Sequence, residues 1–262
     1  MPHVTTPDGT RLYYEEVGTG SPVVFVHEYA GDYRTWEPQL RYFSRSHRCI
    51  TLSQRGYPPS DVPTDPARYG QDIARDDIIA ILDALGIDKA HVVGHSMGAR
   101  FAVRSAVLHP AGVERLVLID PPVSGPGRRE YPSKLPWYVD SIRQSLLGMD
   151  AEAMRAFCAT WSVEQLQLRA EWLHTCYEPA IVRAFNDFHD VDFHQDLPRL
   201  EAPALLMIAG RGGVITAEDE AEILALQPNI RTVHVENAGH MIPWDDLEGF
   251  FNAFGDFLGP RL

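Results

Sequence analysis

The sequence predicts an α/β protein: a doubly wound, mostly parallel sheet interrupted by an inserted helical lid. Three observations carry this. Short β-rich apolar runs recur along the chain, segments with helical spacing lie between several of them, and one long stretch, 121–199, shows helices with no convincing strand.

The runs are Val23 to His27 (VVFVH), Cys49 to Ser53 (CITLS), His91 to Gly94 (HVVG), Leu116 to Asp120 (LVLID), Ala204 to Ala209 (ALLMIA) and Thr232 to Val235 (TVHV). They are short and nearly continuous in apolar character, as parallel strands buried on both faces are. Between Asp72 and Leu85, Ile73, Ile78, Ile79, Ile81, Leu82 and Leu85 suit one side of a helix. Strand, helix and strand in succession imply a doubly wound sheet. In 121–199 four helix-like segments follow one another. One opens at Ser162 with Gln165 three residues on, the pattern of a capping box. Proline-rich joints, DPPVSGPGRREYPSKLP and DLPRLEAPA, bracket the block. The expected organisation is a core of residues 1–120 and 200–262 with 121–199 inserted as the lid.

The chain has 262 residues, 45% of them hydrophobic, enough for one sizeable core. Lys and Arg number 23 against 36 Asp and Glu, a formal charge of -13. That sign opposes nucleic acid and anionic membrane surfaces as partners. Cys49, Cys158 and Cys176 are widely spaced and form no CxxC pair, which indicates neither a disulfide framework nor a zinc site. The N-terminus shows no basic stretch leading into an apolar core, and no run approaches the roughly 18 apolar residues of a membrane span. A cytoplasmic protein is expected.

Chemistry enters at Gly94-His95-Ser96-Met97-Gly98, between an apolar strand and an amphipathic helix. This is the nucleophile-elbow pattern in its required context. The chain must turn sharply and hold the serine in a strained conformation, so the positions two before and two after must lack bulk. The following helix aims its N-terminus, with free N–H groups and positive dipole, at the place where an oxyanion forms.

Of the 11 histidines, only His240 stands after the last strand and before the closing helix, in VENAGHMIPWDD. It is the expected general base, in the chain order this motif uses. His27, His95 and His174 read instead as core or lid histidines. The acid is expected at a strand end. The turn after Ala204 to Ala209 reads Gly210-Arg211-Gly212-Gly213 and offers no carboxylate, whereas LVLIDPP places Asp120 at the carboxyl edge of the preceding strand. A turn-capping role for Asp120 is the competing reading. Glu218, Asp219 and Glu220 read as the start of a helix, favoured by its dipole. One oxyanion donor is expected from the backbone of Met97 and the other from Tyr29, in a loop that carries Glu28 where many relatives have glycine.

Through GHSMG, the RGYPPSD loop and the terminal AGH, the whole chain resembles the α/β-hydrolase fold family. Over its last two thirds, GHSMGARFAVRSA, LVLIDPPVSGPGRREYPSKLPWYVDSIRQ, RAEWLHTCYEPAIVRAF, LLMIAGRGGVI and NAGHMIPWDDLEGFFNAFGDF resemble the N-formylmaleamate deformylases of bacterial nicotinate breakdown. The first third, with HEYAGDYRTWEPQLRYF, is similar to another hydrolase branch. The resemblance implies a triad of Ser96, Asp120 and His240 and a small anionic amide substrate, split without metal or organic cofactor through a formyl-enzyme on Ser96. An anionic substrate on so acidic a chain calls for a local cation, with Arg100 and Arg211 as first candidates and Arg128, Arg129 and Lys134 as further ones. The rival activities are a carboxylesterase or a C–C bond hydrolase of a ring-fission product. A rival of another class is a non-catalytic ligand receptor on the same fold.

Overall fold

In the computed structural model, which describes residues 2–159 and 161–259, the apolar runs become strands of one sheet. The strands are β1 (His3–Thr5), β2 (Arg11–Val17), β3 (Ser21–Val26), β4 (His47–Leu52), β5 (Ala90–His95), β6 (Val113–Ile119), β7 (Ala204–Ala209) and β8 (Arg231–Val235). Their spatial order is β1-β2-β4-β3-β5-β6-β7-β8, antiparallel at β1 and β2 and parallel from β4 onward. Each expected strand is present, within a few residues at its ends. The edge pair β1 and β2 carries no comparable apolar run, because Glu15, Glu16 and Val17 leave the core halfway along β2.

Alternate residues of the central strands feed two apolar layers. Val24, Val26, Val92, Leu116, Leu118 and Leu206 pack against α2 (Gln71–Ala84) and α3 (Met97–Leu108). Val23, Phe25, Val93, Val117, Leu205 and Met207 face Trp36, Phe43, Phe250 and Phe254, from the segment leading into α1 (Glu37–Phe43) and from α10 (Leu247–Phe254). Burial on both sides explains why these runs lack a period-2 pattern.

Between β6 and β7 lie four helices, α4 (Leu135–Leu146), α5 (Ala151–Met154), α6 (Val163–Leu173) and α7 (Glu178–Asp190), and no strand among the described residues. The capping box at α6 is closed in both directions, Gln165 N–H to Ser162 Oγ at 3.2 Å and Ser162 N–H to Gln165 Oε1 at 2.9 Å. After β7 comes α8 (Ala217–Leu226), and the short α9 (Ile242–Asp245) follows β8. No helix of the described residues is long and apolar enough to cross a membrane.

Candidate active site

The geometry of the elbow follows from its glycines. Ser96 sits at φ 52° and ψ -116°, a strained conformation for a residue with a side chain. A Cβ at Gly94 would stand 2.5 Å from the carbonyl oxygen of Gly98, and a Cβ at Gly98 would collide with the carbonyl oxygen of Val26. Both positions therefore admit only hydrogen, and the N-terminus of α3 closes onto the end of β3.

Ser96 and Asp120 come off neighbouring parallel strands, whose carboxyl ends are set level by register. His95 pairs with Ile119 and Ile119 with Met207. Ser96 N–H donates to Ile119 O at 2.8 Å and Asp120 N–H to Met207 O at 2.9 Å. The loop after β8 then brings His240 across both. Its Nδ1 lies 2.7 Å from Asp120 Oδ2 and its Nε2 lies 3.0 Å from Ser96 Oγ. These contacts suit one tautomer: Nδ1–H donating to the carboxylate, Nε2 accepting from the hydroxyl. Ser96 is 1% exposed, while the His240 side chain is 23% exposed, so the hydroxyl is covered and the imidazole stands nearer the surface.

Val214 N–H also donates to Asp120 Oδ2, at 3.0 Å. A Cβ on Gly213 would lie 2.9 Å from both carboxylate oxygens, so a side chain there and the Asp120 carboxylate exclude one another. The carboxylates further along belong to α8. Thr216 and Asp219 form its capping box, and Asp219 pairs with Arg129 at 2.5 Å.

At the expected oxyanion loop, a turn closes through Gly31 N–H to Glu28 O at 3.2 Å, with Ala30 at φ 57°. Tyr29, second in that turn, gives its N–H no partner among the described residues. Met97 opens α3, where helix N–H groups have no intrahelical acceptor. Glu28 folds back over Gly31, whose missing side chain makes room for the carboxylate, and points into the core. Its Oε2 is 3.7 Å from His95 Nδ1, and His95 Nε2 donates to His240 O at 2.9 Å. Burial works against the Glu28 charge, but His95, His27 and a backbone hydrogen bond together outweigh it and hold the carboxyl below its ordinary range. His27 is a core histidine with both ring nitrogens bonded, to Glu28 O and to Gln54 N–H.

The cations fall out differently from expectation. Arg100 is 1% exposed, and its guanidinium donates to the carbonyls of Pro122, Ser124, Asp187 and Val191. It ties the two ends of the inserted segment to α3 through Nη1 and Nη2, while its Nε has no partner among the described residues. Burial lowers its pKa to about 10, still charged at neutral pH. Arg128, Arg129 and Lys134 are paired with Asp192 and Glu222, with Asp219, and with Glu130. Arg211 is exposed and donates to Asn237 Oδ1 at 2.8 Å. It lines a cavity of about 330 Å³ with Gln165, Gly239, Trp244 and Asp245, next to the His240 loop. Sequence reasoning passed over Arg169, which sits on the buried face of α6 with Leu166, Ala170 and Leu173. A cation within an apolar stripe was the available signal.

The chain matches the α/β hydrolase fold family over residues 21–247. It is 57% identical over 256 residues to an N-formylmaleamate deformylase of Pseudomonas putida, covering 97% of this chain and 95% of the relative. A crystal structure of N-formylmaleamic acid deformylase from Pseudomonas putida, a serine-to-alanine variant, superposes with a TM-score of 0.90 at 41% identity, covering 97% of this chain and 99% of that one. An esterase from Exiguobacterium antarcticum shares the fold at a TM-score of 0.83 and 21% identity, each chain covered to 98%. With a serine elbow at the end of β5, partners on β6 and after β8, and a sequence match spanning most of its length, the chain belongs to the α/β-hydrolase fold family.

Proposed function

We propose that this hydrolase splits N-formylmaleamate and water into maleamate and formate, with Ser96 as nucleophile, His240 as general base and acid, and Asp120 as the carboxylate that orients the imidazole. The observation that carries the reading is the near full-length likeness to a deformylase, with a serine, a histidine and an aspartate in hydrogen-bond sequence.

His240 takes the hydroxyl proton as Ser96 Oγ adds to the formyl carbon, and the carbonyl oxygen becomes an oxyanion facing the N–H groups of Met97 and Tyr29. Collapse breaks the C–N bond and His240 gives its proton to the departing nitrogen, releasing maleamate. This leaving group is a primary amide whose own carbonyl spreads the developing charge, a milder demand than expelling an alkylamine. Water, deprotonated by His240, then attacks the formyl ester, and formate leaves as Ser96 regains its proton.

Residues 121–199 act in this reading as a lid, supported by a serine that is almost wholly covered. Arg211, at the rim, meets the anionic substrate first. A cytoplasmic setting is part of the same proposal, supported by Cys49, Cys158 and Cys176, all buried and free. The test is incubation of purified protein with N-formylmaleamate beside simple aryl esters. Formate and maleamate in equal amounts are expected. Ester turnover without formate rejects the deformylase reading and leaves a serine hydrolase of other specificity.

A further inference from the structure

Among the described residues three arginines are buried, and two have their charge met. Arg55 pairs with Asp77 at 2.6 Å and Asp8 at 2.7 Å, and Arg100 is surrounded by four carbonyls. Arg169 is 4% exposed, yet among the described residues it has no carboxylate partner and no hydrogen bond, and its Nε is bare. The Trp161 ring, 5.5 Å from the guanidinium carbon, offers a cation–π contact only. A guanidinium so little exposed, with no carboxylate or other acceptor beside it, is unfavourably placed until an anion meets it.

Its position identifies the anion. One turn along the same buried face of α6, Trp172 Nε1 donates to Ala30 O at 3.0 Å, beside the Tyr29 backbone. Trp161 lies 5.0 Å from the ring of Trp244, four residues after His240, and Trp244 meets Trp172 edge-on at 5.6 Å. The Cys176 thiol is within electrostatic reach of both Arg169 and Glu28. Arg169 thus belongs to the side of the inserted helices that faces the oxyanion loop and the His240 loop.

We propose that Arg169 binds the carboxylate of the substrate. The inference deepens the deformylase reading and rests on it for the identity of that carboxylate. N-formylmaleamate has a formyl group at one end of a short unsaturated chain and a carboxylate at the other. A fixed, bidentate cation at the carboxylate decides which of the two carbonyls flanking the nitrogen is presented to Ser96.

Arg169→Met keeps much of the volume and removes the charge. With N-formylmaleamate its KM rises about tenfold to a hundredfold, the value of a charge-assisted contact, while a neutral formamide or aryl ester is hydrolysed as by the wild type. Arg169→Lys, charged but not bidentate, lies between. A second measurement needs no turnover: maleamate raises the Tm of the wild type and not that of Arg169→Met, and the unliganded variant melts no lower than the wild type. An unchanged KM, equal losses on charged and neutral substrates, or maleamate protection that survives in Arg169→Met each overturns the proposal. Absence of formate from the wild type sinks the deformylase reading instead, and the maleamate-protection result then decides Arg169 by itself.

Discussion

The Asp120 carboxylate has space only because residue 213 ends at its Cα. A Cβ there would approach both carboxylate oxygens to 2.9 Å and the Ala209 Cβ to 2.7 Å. Gly213→Ala therefore pushes the acid off His240, and turnover falls by about tenfold to a hundredfold with the fold retained, as for misplaced catalytic groups. A variant with wild-type kcat would show that the Asp120 position is not critical. Asp120→Asn presents an amide N–H to His240 Nδ1, favours the wrong tautomer and lowers kcat on the order of 10⁴-fold. Asp219→Asn weakens a helix cap by about 1 kcal/mol in urea unfolding and changes turnover by less than about threefold, as suits a helix-start charge away from the chemistry. The reverse pattern would return the acid to the loop after β7. At this scale the sequence was informative where chemistry demands a local pattern. The elbow glycines and the placing of His240 could be read, and Gly213 pointed to Asp120 by omission. Arg169 shows in the sequence only as a cation within the apolar stripe of α6, and the Glu28–His95 contact does not show there, because it depends on partners brought together by tertiary structure.

At the scale of elements, one arginine gathers the two ends of the inserted segment. Arg100 on α3 collects carbonyls from residues 122 and 124, just after β6, and from 187 and 191, at the end of α7. Arg100→Met strands these buried acceptors, and urea unfolding should show a loss of about 3 kcal/mol or more, several net hydrogen bonds to a charged group. Activity on charged and neutral substrates falls together; a loss confined to the anionic substrate would restore Arg100 as a binding residue. From sequence Arg100 is one of the candidate substrate cations because it lies one turn past Ser96. The sequence does not show that the ends of a segment some seventy residues long return to the same turn of α3. Elements governed by local rules were legible: the capping box of α6, the helix start marked by Glu218, Asp219 and Glu220, and the parallel strands. The edge strands β1 and β2 were not, since an edge strand half exposed to solvent need not be apolar.

At the scale of the molecule, the carboxyl ends of the sheet strands carry Ser96, Asp120 and the His240 loop, in a chain of net charge -13. An anion reaches such a site only if local cations offset the general field, which gives Arg211 and Arg169 their proposed places. Ser96→Ala should fold as the wild type and lose at least about 10⁴-fold in turnover; activity within tenfold of wild type, on that same scale, would remove Ser96 from the mechanism. The central claim is that Ser96 attacks the formyl carbonyl and not the carbonyl of the maleyl arm. Hydrolysis of N-formylmaleamate in water carrying a heavy oxygen isotope tests it most directly. The account predicts formate bearing the heavy oxygen together with unlabelled maleamate, and neither product from Ser96→Ala; formamide with labelled maleate would contradict it.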